Sequence, residues 1–452
     1  MPTHRPSTTH ADLGPAFFDV VAPATFPHHT LRHRNQRWAE RVGLGALSDD
    51  DWIRHFGKFE PLPGSFERPL ALRYHGHQFR TYNPELGDGR GFLFAQLHDL
   101  SDGRLLDLGT KGSGQTPWSR QGDGRLTLKG GVREVLATEM LEALGVETSK
   151  SFSLIETGES LWRGDEPSPT RSSVLVRLSH SHIRIGTFQR FAYDRQNDAI
   201  ERLLAHTVQH YLPEASRATV RETAAAFLET VTKRVARMGA QWMAAGFVHG
   251  VLNTDNINVT GESFDYGPWR FLPVLDPAFT AAYFDESGLY AFGRQPETLL
   301  WNLVRLAECL LPLSDQAALE SALDAFQPEL QREFAARTLH RLGLLSAGDD
   351  EDRSLALAMW RFLADSKVPF EQAWFDLRGG RSSNPLYEPL RATLAKFAPR
   401  SDVDHDYFRR DTPCTMLIDE VEAIWAPIAA DDDWSRFDAK LRDIAVMRDA
   451  YT

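Results

Sequence analysis

The feature that most restricts what this chain can fold into lies just past its middle. A long helical pattern, FLETVTKRVARMGAQWMAAG over 227–246, closes on Gly246, and His249-Gly250-Val251-Leu252-Asn253-Thr254-Asp255-Asn256 follows almost at once. INVTG (257–261) reads as a short strand, and Asp265-Tyr266-Gly267 begins nine residues after Asn256. Taken alone, Asn253-Thr254-Asp255-Asn256 reads as an Asx-rich turn. A helix stop, a polar turn, a strand and a second acidic turn in this order are hard to obtain by accident. Two carboxylates and an amide, Asp255, Asp265 and Asn256, suit a hard cation that also bridges phosphates.

The spacing is that of a kinase catalytic loop and its metal-binding triplet, with one substitution. In the pattern H-R-D-x-x-x-x-N followed by D-F-G, the loop Asp accepts the substrate hydroxyl proton, and the Asn and the second Asp hold the metals. Here His249 and Asn256 keep that spacing, but Val251 occupies the position of the base. A valine cannot take a proton, and a carboxylate reappears only at Asp255. Such a chain either does nothing with ATP or does something other than ordinary phosphorylation.

Upstream, short β-like runs alternate with Gly-rich turns from about 70 to 160. LLDLGTK (105–111) places Leu106 and Leu108 on one face, a strand ending at Lys111. GVREVLATEMLEALG (131–145) sets Val132, Leu136, Met140 and Ala143 at helical steps, with Gly145 as the stop. Between them, KGSGQTPWSRQGDGR (111–125) joins a strand-end lysine to closely spaced glycines. LGDGRG (86–91) reads first as an ordinary hairpin turn. Its functional reading is a turn whose backbone N–H groups and Arg90 approach phosphates. Glu134, away from the apolar stripe, is a solvated residue if it stands alone. In a kinase-like lobe it pairs with Lys111, and Glu139 is its rival on the same helix. Arg177 and Arg184 are either peripheral to a buried strand or two donors for a triphosphate. The His pairs 75/77 and 180/182 lack Cys partners, which argues against zinc.

Residues 1–65 read as irregular, with a helical stretch near 34–54. Helical patterns dominate from 197 to 246, over TLLWNLVRLAECLL (298–311), and through most of 315–452. A net charge of −12 argues against nucleic acid as a partner. With eight lysines against 42 arginines, a lysine inside a Gly-rich segment stands out as a candidate for a specific role. No apolar run approaches the roughly 20 residues that cross a bilayer, and the N-terminus lacks a signal layout. With two cysteines, Cys309 and Cys414, and no disulfide framework, a cytoplasmic protein without membrane partners is expected.

Several stretches over roughly 70–310 resemble the selenoprotein O family, kinase-fold proteins that transfer AMP to protein hydroxyls. They are GHQF (76–79), LGDGRG, KGSGQTPWSRQGDGR, VRE (132–134), the Arg177/Arg184 pair, GFVHGVLNTDN (246–256), FDYGP (264–268) and QPETLLWNLVRLAE (295–308). The resemblance implies that Gly87, Gly89, Arg90, Lys111, Asp123, Gly124, Arg177 and Arg184 contact nucleotide and that Glu134 orients Lys111. Asp255 would be the proton acceptor, with Asn256 and Asp265 as ligands of Mg²⁺, Mn²⁺ remaining open. ATP would lie flipped relative to kinases, so that its α-phosphate faces the acceptor, which explains the displaced carboxylate. The chain departs from the family at Arg80, where Gly is usual, and at Lys129-Gly130-Gly131. It ends MRDAYT, without the family's late cysteine or selenocysteine, and NPLYEP (384–389) matches the late Asn-Pro motif only faintly.

The expected fold is α+β, a bilobal protein-kinase-like fold with N-terminal and C-terminal helical additions. Its parts would be an extension (1–65), an N-lobe (66–165), a C-lobe with the catalytic loop (166–330) and a C-terminal helical region (331–452). The expected activity is metal-dependent transfer of AMP from ATP to Ser, Thr or Tyr of proteins, with self-modification as one outcome. The alternatives are a kinase using Asp255 as an unorthodox base and a nucleotide-binding pseudokinase scaffold.

Overall fold

The computed structural model describes residues 4–164, 166–380, 382–401 and 403–452. The first three residues, and Asp165 at the expected lobe boundary, lie outside these. The chain up to Ser179 contributes β1 (Pro6–Ser7), β2 (Phe18–Val20), β3 (Thr30–Arg34), α1 (Gln36–Arg41), α2 (Asp49–Phe56) and β4 (Leu70–Leu72). The hairpin β5 (Gly76–Gln78) and β6 (Thr81–Asn83) follows, then β7 (Leu93–His98), β8 (Leu105–Lys111), β9 (Leu126–Thr127), α3 (Leu128–Ala143), β10 (Lys150–Leu161) and β11 (Thr170–Ser179). All but β5 and β6 form a nine-stranded sheet in the order β2-β4-β7-β8-β11-β10-β3, with β1 added to β7 and β9 to β11. Its pairings are antiparallel.

The period-2 alternation of β8 decides what faces the cleft. Leu106 and Leu108 join Trp38, Trp52, Phe56 and Phe152 in the core beneath α1 and α2. Asp107, Gly109 and Lys111 therefore fall on the opposite face, the one α3 covers. Arg177 of β11 stands opposite Gly109, and Leu175 opposite Lys111, so the register brings Arg177 beside Lys111. The alternation expected for 105–111 is what the structure shows.

Residues 1–65, expected as an irregular extension, instead supply three strands of the sheet and half of the core under it. Periodicity could not reveal this. β1 and β2 are two and three residues long, and β3 is a polar edge strand, TLRHR, with no hydrophobic alternation. Helix α3 begins at Leu128, where Thr127 accepts the Gly130 N–H as N-cap. It is buried around most of its circumference, not along one stripe, because α14 packs on its far side.

The helical part comprises α4 (Ile185–Tyr193), α5 (Asn197–His210) and α6 (Val220–Ala245), then the paired strands β12 (Phe247–Val248) and β13 (Arg270–Phe271). After these come α7 (Gln295–Leu310), α8 (Gln316–Leu323), α9 (Phe326–Leu342), α10 (Asp349–Ser366), α11 (Phe370–Asp376), α12 (Glu388–Leu394), α13 (Ile418–Asp431) and α14 (Ser435–Tyr451). Helix α6 opens on a Thr219/Glu222 capping box, seven residues before the expected start, and ends on Gly246 in the left-handed conformation, φ 64°. INVTG is not a strand. Asn258 bridges only Arg184, and its Oδ1 accepts both the Thr260 N–H and hydroxyl, which turns the chain after one bridge. Helices α13 and α14 return to α3 and the sheet: Arg448 pairs with Glu139 and Glu422 with Lys129 (2.8 Å) on α3, and Asp432 with Arg171 (2.6 Å) and Arg32 (2.9 Å) on the sheet. Among the described residues no helix is long and apolar enough to cross a membrane.

Candidate active site

A cavity of about 730 Å³ opens between the sheet and the loop joining β12 to β13. Gly87, Gly89, Arg90, Lys111, Asp123, Gly124, Arg177, Arg184, Asp255, Asn256 and Asp265 all line it. Glu134 stands behind the wall and reaches it through Lys111.

Two turns make the roof. The backbone of Arg90 accepts the N–H groups of Gly112 (2.7 Å) and Ser113 (3.3 Å), and Gly114 donates to Gly124 (3.1 Å), so the 86–91 and 111–125 segments are stitched together. Gly124 has φ 70°, and a Cβ there would lie 2.3 Å from the Gly114 backbone, so the turn admits no side chain at that point. Each turn contains Gly-Asp-Gly-Arg, and the two copies play different parts. Asp88 accepts from Arg184 Nη2 (3.2 Å) and from the Leu72 N–H (3.1 Å). Asp123 is exposed at the rim and pairs with Arg163 (2.8 Å). Arg90 is exposed at the mouth.

The floor is an ion-pair network. Lys111 Nζ contacts Glu134 and, at 2.8 Å, Asp265 Oδ1, which also accepts from Arg177 Nη1 at 3.0 Å. Burial opposes ionisation of Asp265, but Lys111, Arg177 and Arg184 outweigh it and hold the carboxyl well below the usual range. Asp265 sits at φ 63°, an uncommon conformation for a non-glycine residue that recurs at functional turns. Glu139, the rival for Lys111, points elsewhere and bonds Asn35 (2.9 Å) and Arg448. Arg184 lies over Tyr74 (4.1 Å) and Phe264 (5.1 Å) and donates to the Asp255 carbonyl (3.3 Å). Both arginines the sequence singled out are thus in the cavity, held by stacking and by carboxylates.

Asp255 is buried, and its Oδ1 has no hydrogen-bond partner. Burial pushes its carboxyl up to about 6, against the pull of Arg184. Asn256 donates to the Val251 carbonyl (3.0 Å), and no bond to its side-chain oxygen occurs among the described residues. The site therefore offers oxygen donors only. No cluster of three His, Cys, Asp or Glu groups able to hold a metal occurs among the described residues. The Asn256 amide and the Asp265 carboxylate are oxygen donors of the kind that suits a divalent ion taking its remaining ligands from phosphates and water. His75 and His77 bond Tyr82 (2.8 Å) and Gln189 (2.7 Å), whereas His180 and His182 lie by Tyr211 and Asp107.

The loop backbone is fixed by residues that carried no local signal. On α7, Gln295 accepts the His249 N–H (3.0 Å) and donates to Phe247 O (2.9 Å), while Asn302 donates to Leu252 O (2.9 Å). These two polar positions explain why QPETLLWNLVRLAE belongs with the loop. On α4, Gln189 accepts from the Thr254 hydroxyl (2.5 Å). Sequence reasoning also passed over Asp88, Tyr74, Phe264 and Arg163; the repeated Gly-Asp-Gly-Arg was the available signal for Asp88.

Comparison with known proteins gives the family. The family model described as "Protein adenylyltransferase SelO" matches residues 3–394. A "Protein nucleotidyltransferase YdiU" of Synechocystis sp. is 46% identical over 459 residues, covering 94% of each chain. Proteins of the same name from Gloeobacter violaceus and Trichormus variabilis are 44% and 43% identical, each over 94% of this chain and 92% of their own. The chain belongs to the SelO family of protein adenylyltransferases.

Proposed function

We propose that this protein transfers AMP from ATP to Ser, Thr or Tyr hydroxyls of proteins. The observation that carries the reading is Asp255. Its carboxylate is buried on the cavity wall with one oxygen unpaired, four residues from Val251, which stands where a kinase keeps its base. An unpaired buried carboxylate costs stability, and one with a raised pKa is suited to take a proton.

Lys111, Arg177 and Arg184 bind the phosphates, and Glu134 keeps Lys111 aimed at them. Asp255 accepts the proton of the acceptor hydroxyl as its oxygen bonds the α-phosphorus. The bond from that phosphorus to the α–β bridging oxygen breaks, and pyrophosphate leaves with the electron pair. Mg²⁺ or Mn²⁺ held by Asn256 and Asp265 would neutralise the charge on the phosphates. The sheet with α3 and the helical part around the catalytic loop act as the two lobes of a kinase-like fold. We place their division after β11, not at 165/166, because β11 is hydrogen-bonded on both sides within the sheet.

ATP labelled at the α-phosphate should mark protein, ATP labelled at the γ-phosphate should not, and pyrophosphate should be the co-product. Label from the γ position with ADP released would establish a kinase instead. Nucleotide binding with no label from either position, across several acceptors and both metals, would establish a scaffold.

A further inference from the structure

Three exposed aromatic side chains stand together at the edge of the catalytic loop: Phe79 is 37% exposed, Tyr283 83% and Phe284 48%. The ring centroids of Phe79 and Phe284 are 5.8 Å apart, and those of Tyr283 and Phe284 5.1 Å. Contiguous exposed apolar groups carry a hydration cost that soluble proteins mostly avoid away from contact surfaces.

The patch is ordered and joined to the site. The Phe79 N–H donates to Asn253 Oδ1 (3.1 Å) and to the Tyr290 hydroxyl (3.1 Å), and that hydroxyl donates to Asn253 (2.6 Å). Gln78, next to Phe79, and Asn253, two residues before Asp255, both line the cavity. On the other side, Ala281 and Ala282 press on Gly250, where a Cβ would meet the Ala281 methyl at 2.9 Å. Asp285 is buried and accepts the N–H groups of Leu289 and Tyr290 (both 2.8 Å). Tyr283 and Phe284 are thus held outward between two anchored points, and Phe79 and Arg80 adopt φ 49° and 62° to turn the hairpin here.

We propose that Phe79, Tyr283 and Phe284 form the ledge on which the acceptor protein lays a large apolar side chain close in sequence to the hydroxyl presented to Asp255. The inference rests on the AMP-transfer reading. The occupant follows from continuity: the ledge begins at residues that share hydrogen bonds with the catalytic loop, so a segment placing its hydroxyl at Asp255 passes beside it. Aromatic anchors of this kind carry much of the energy of protein contacts. The acceptors so favoured are extended segments with Leu, Ile, Phe or Met near the modified residue.

The test uses the full-length protein, α-labelled ATP with Mg²⁺, and paired synthetic peptides that differ only in Leu or Ser beside one acceptor residue. The wild type should prefer the Leu peptide. The double variant Tyr283→Ala/Phe284→Ala should raise the KM of the Leu peptide by about tenfold, erase the preference, and keep the KM for ATP and the unfolding temperature. Equal labelling by wild type and variant overturns the ledge while leaving AMP transfer standing. A variant that loses ATP affinity overturns it too, by assigning the patch to the nucleotide side. A sedimenting wild-type dimer that the variant abolishes gives the face to a second copy and overturns it. If the wild type labels no acceptor at all, the AMP-transfer reading falls and the ledge falls with it.

Discussion

Replacing Glu134 by Gln isolates the charge that positions Lys111. The lysine is buried, and its ammonium meets two carboxylates, Glu134 and, at 2.8 Å, Asp265. Gln keeps the shape and one acceptor oxygen, and Asp265 remains a partner. The loss is therefore one charge-assisted hydrogen bond, about 1.5–3 kcal/mol, instead of the roughly 3–5 kcal/mol of a buried ion left unpaired. Asp265 is the group that would turn to the metal, so Glu134 would be the fixed carboxylate left to Lys111 when nucleotide binds, and the cost falls on turnover. The kcat/KM for ATP, from initial rates with α-labelled ATP, should drop by about 10- to 150-fold. Glu139→Gln is the matched control on the same helix. It removes the charge paired with Arg448 and leaves one acceptor for Asn35, so it should lower the unfolding temperature while leaving kcat/KM within about twofold. Equal losses of activity in the two variants, or wild-type rates in Glu134→Gln, would refute the assignment.

Asp265→Ala should abolish metal-dependent nucleotide binding, measured by calorimetry, because the proposed cation site would lose its charged ligand. Asp255→Ala should bind nucleotide and fail to turn over, and the reverse pattern would exchange the two roles. Activity should be indifferent to dithiothreitol: Cys309 and Cys414 are free and buried, and burial raises both thiols, Cys309 to about 12, so neither is a reactive thiolate. A reductant effect lost in Cys414→Ser would show otherwise. Burial lowers His10 to about 4 and His206 to about 3. A histidine held below its unfolded value contributes stability in full above pH 6.5 and loses it as pH falls toward the folded value. Each should cost about 2 kcal/mol at pH 5, so the acid loss measured by urea unfolding should shrink in His206→Gln, and an unchanged loss would exclude that histidine.

What the sequence determined by itself is the local part of this protein. Leu106 and Leu108 set the face of β8 and with it the side on which Lys111 emerges, because side chains alternate along a strand whatever its neighbours. Gly246 ends α6 because a left-handed cap there needs no Cβ, and the run from His249 to Asn256 follows that stop directly. Tertiary structure decided the rest. Glu134 and Glu139 are both polar residues on one helix, and only the packing of α3 between the sheet and α14 gives one to Lys111 and the other to Arg448. The two Gly-Asp-Gly-Arg turns read alike, yet Asp88 is buried against Arg184 and Asp123 stays at the rim, because the first turn faces Leu72 and Arg184 and the second the β10–β11 turn. Residues 1–65 and 331–452 looked peripheral because short polar edge strands and two-sided helices leave no clear period. Their partners lie far along the chain, as Arg32 and Asp432 do, and a local pattern holds no record of a contact made only when distant segments meet.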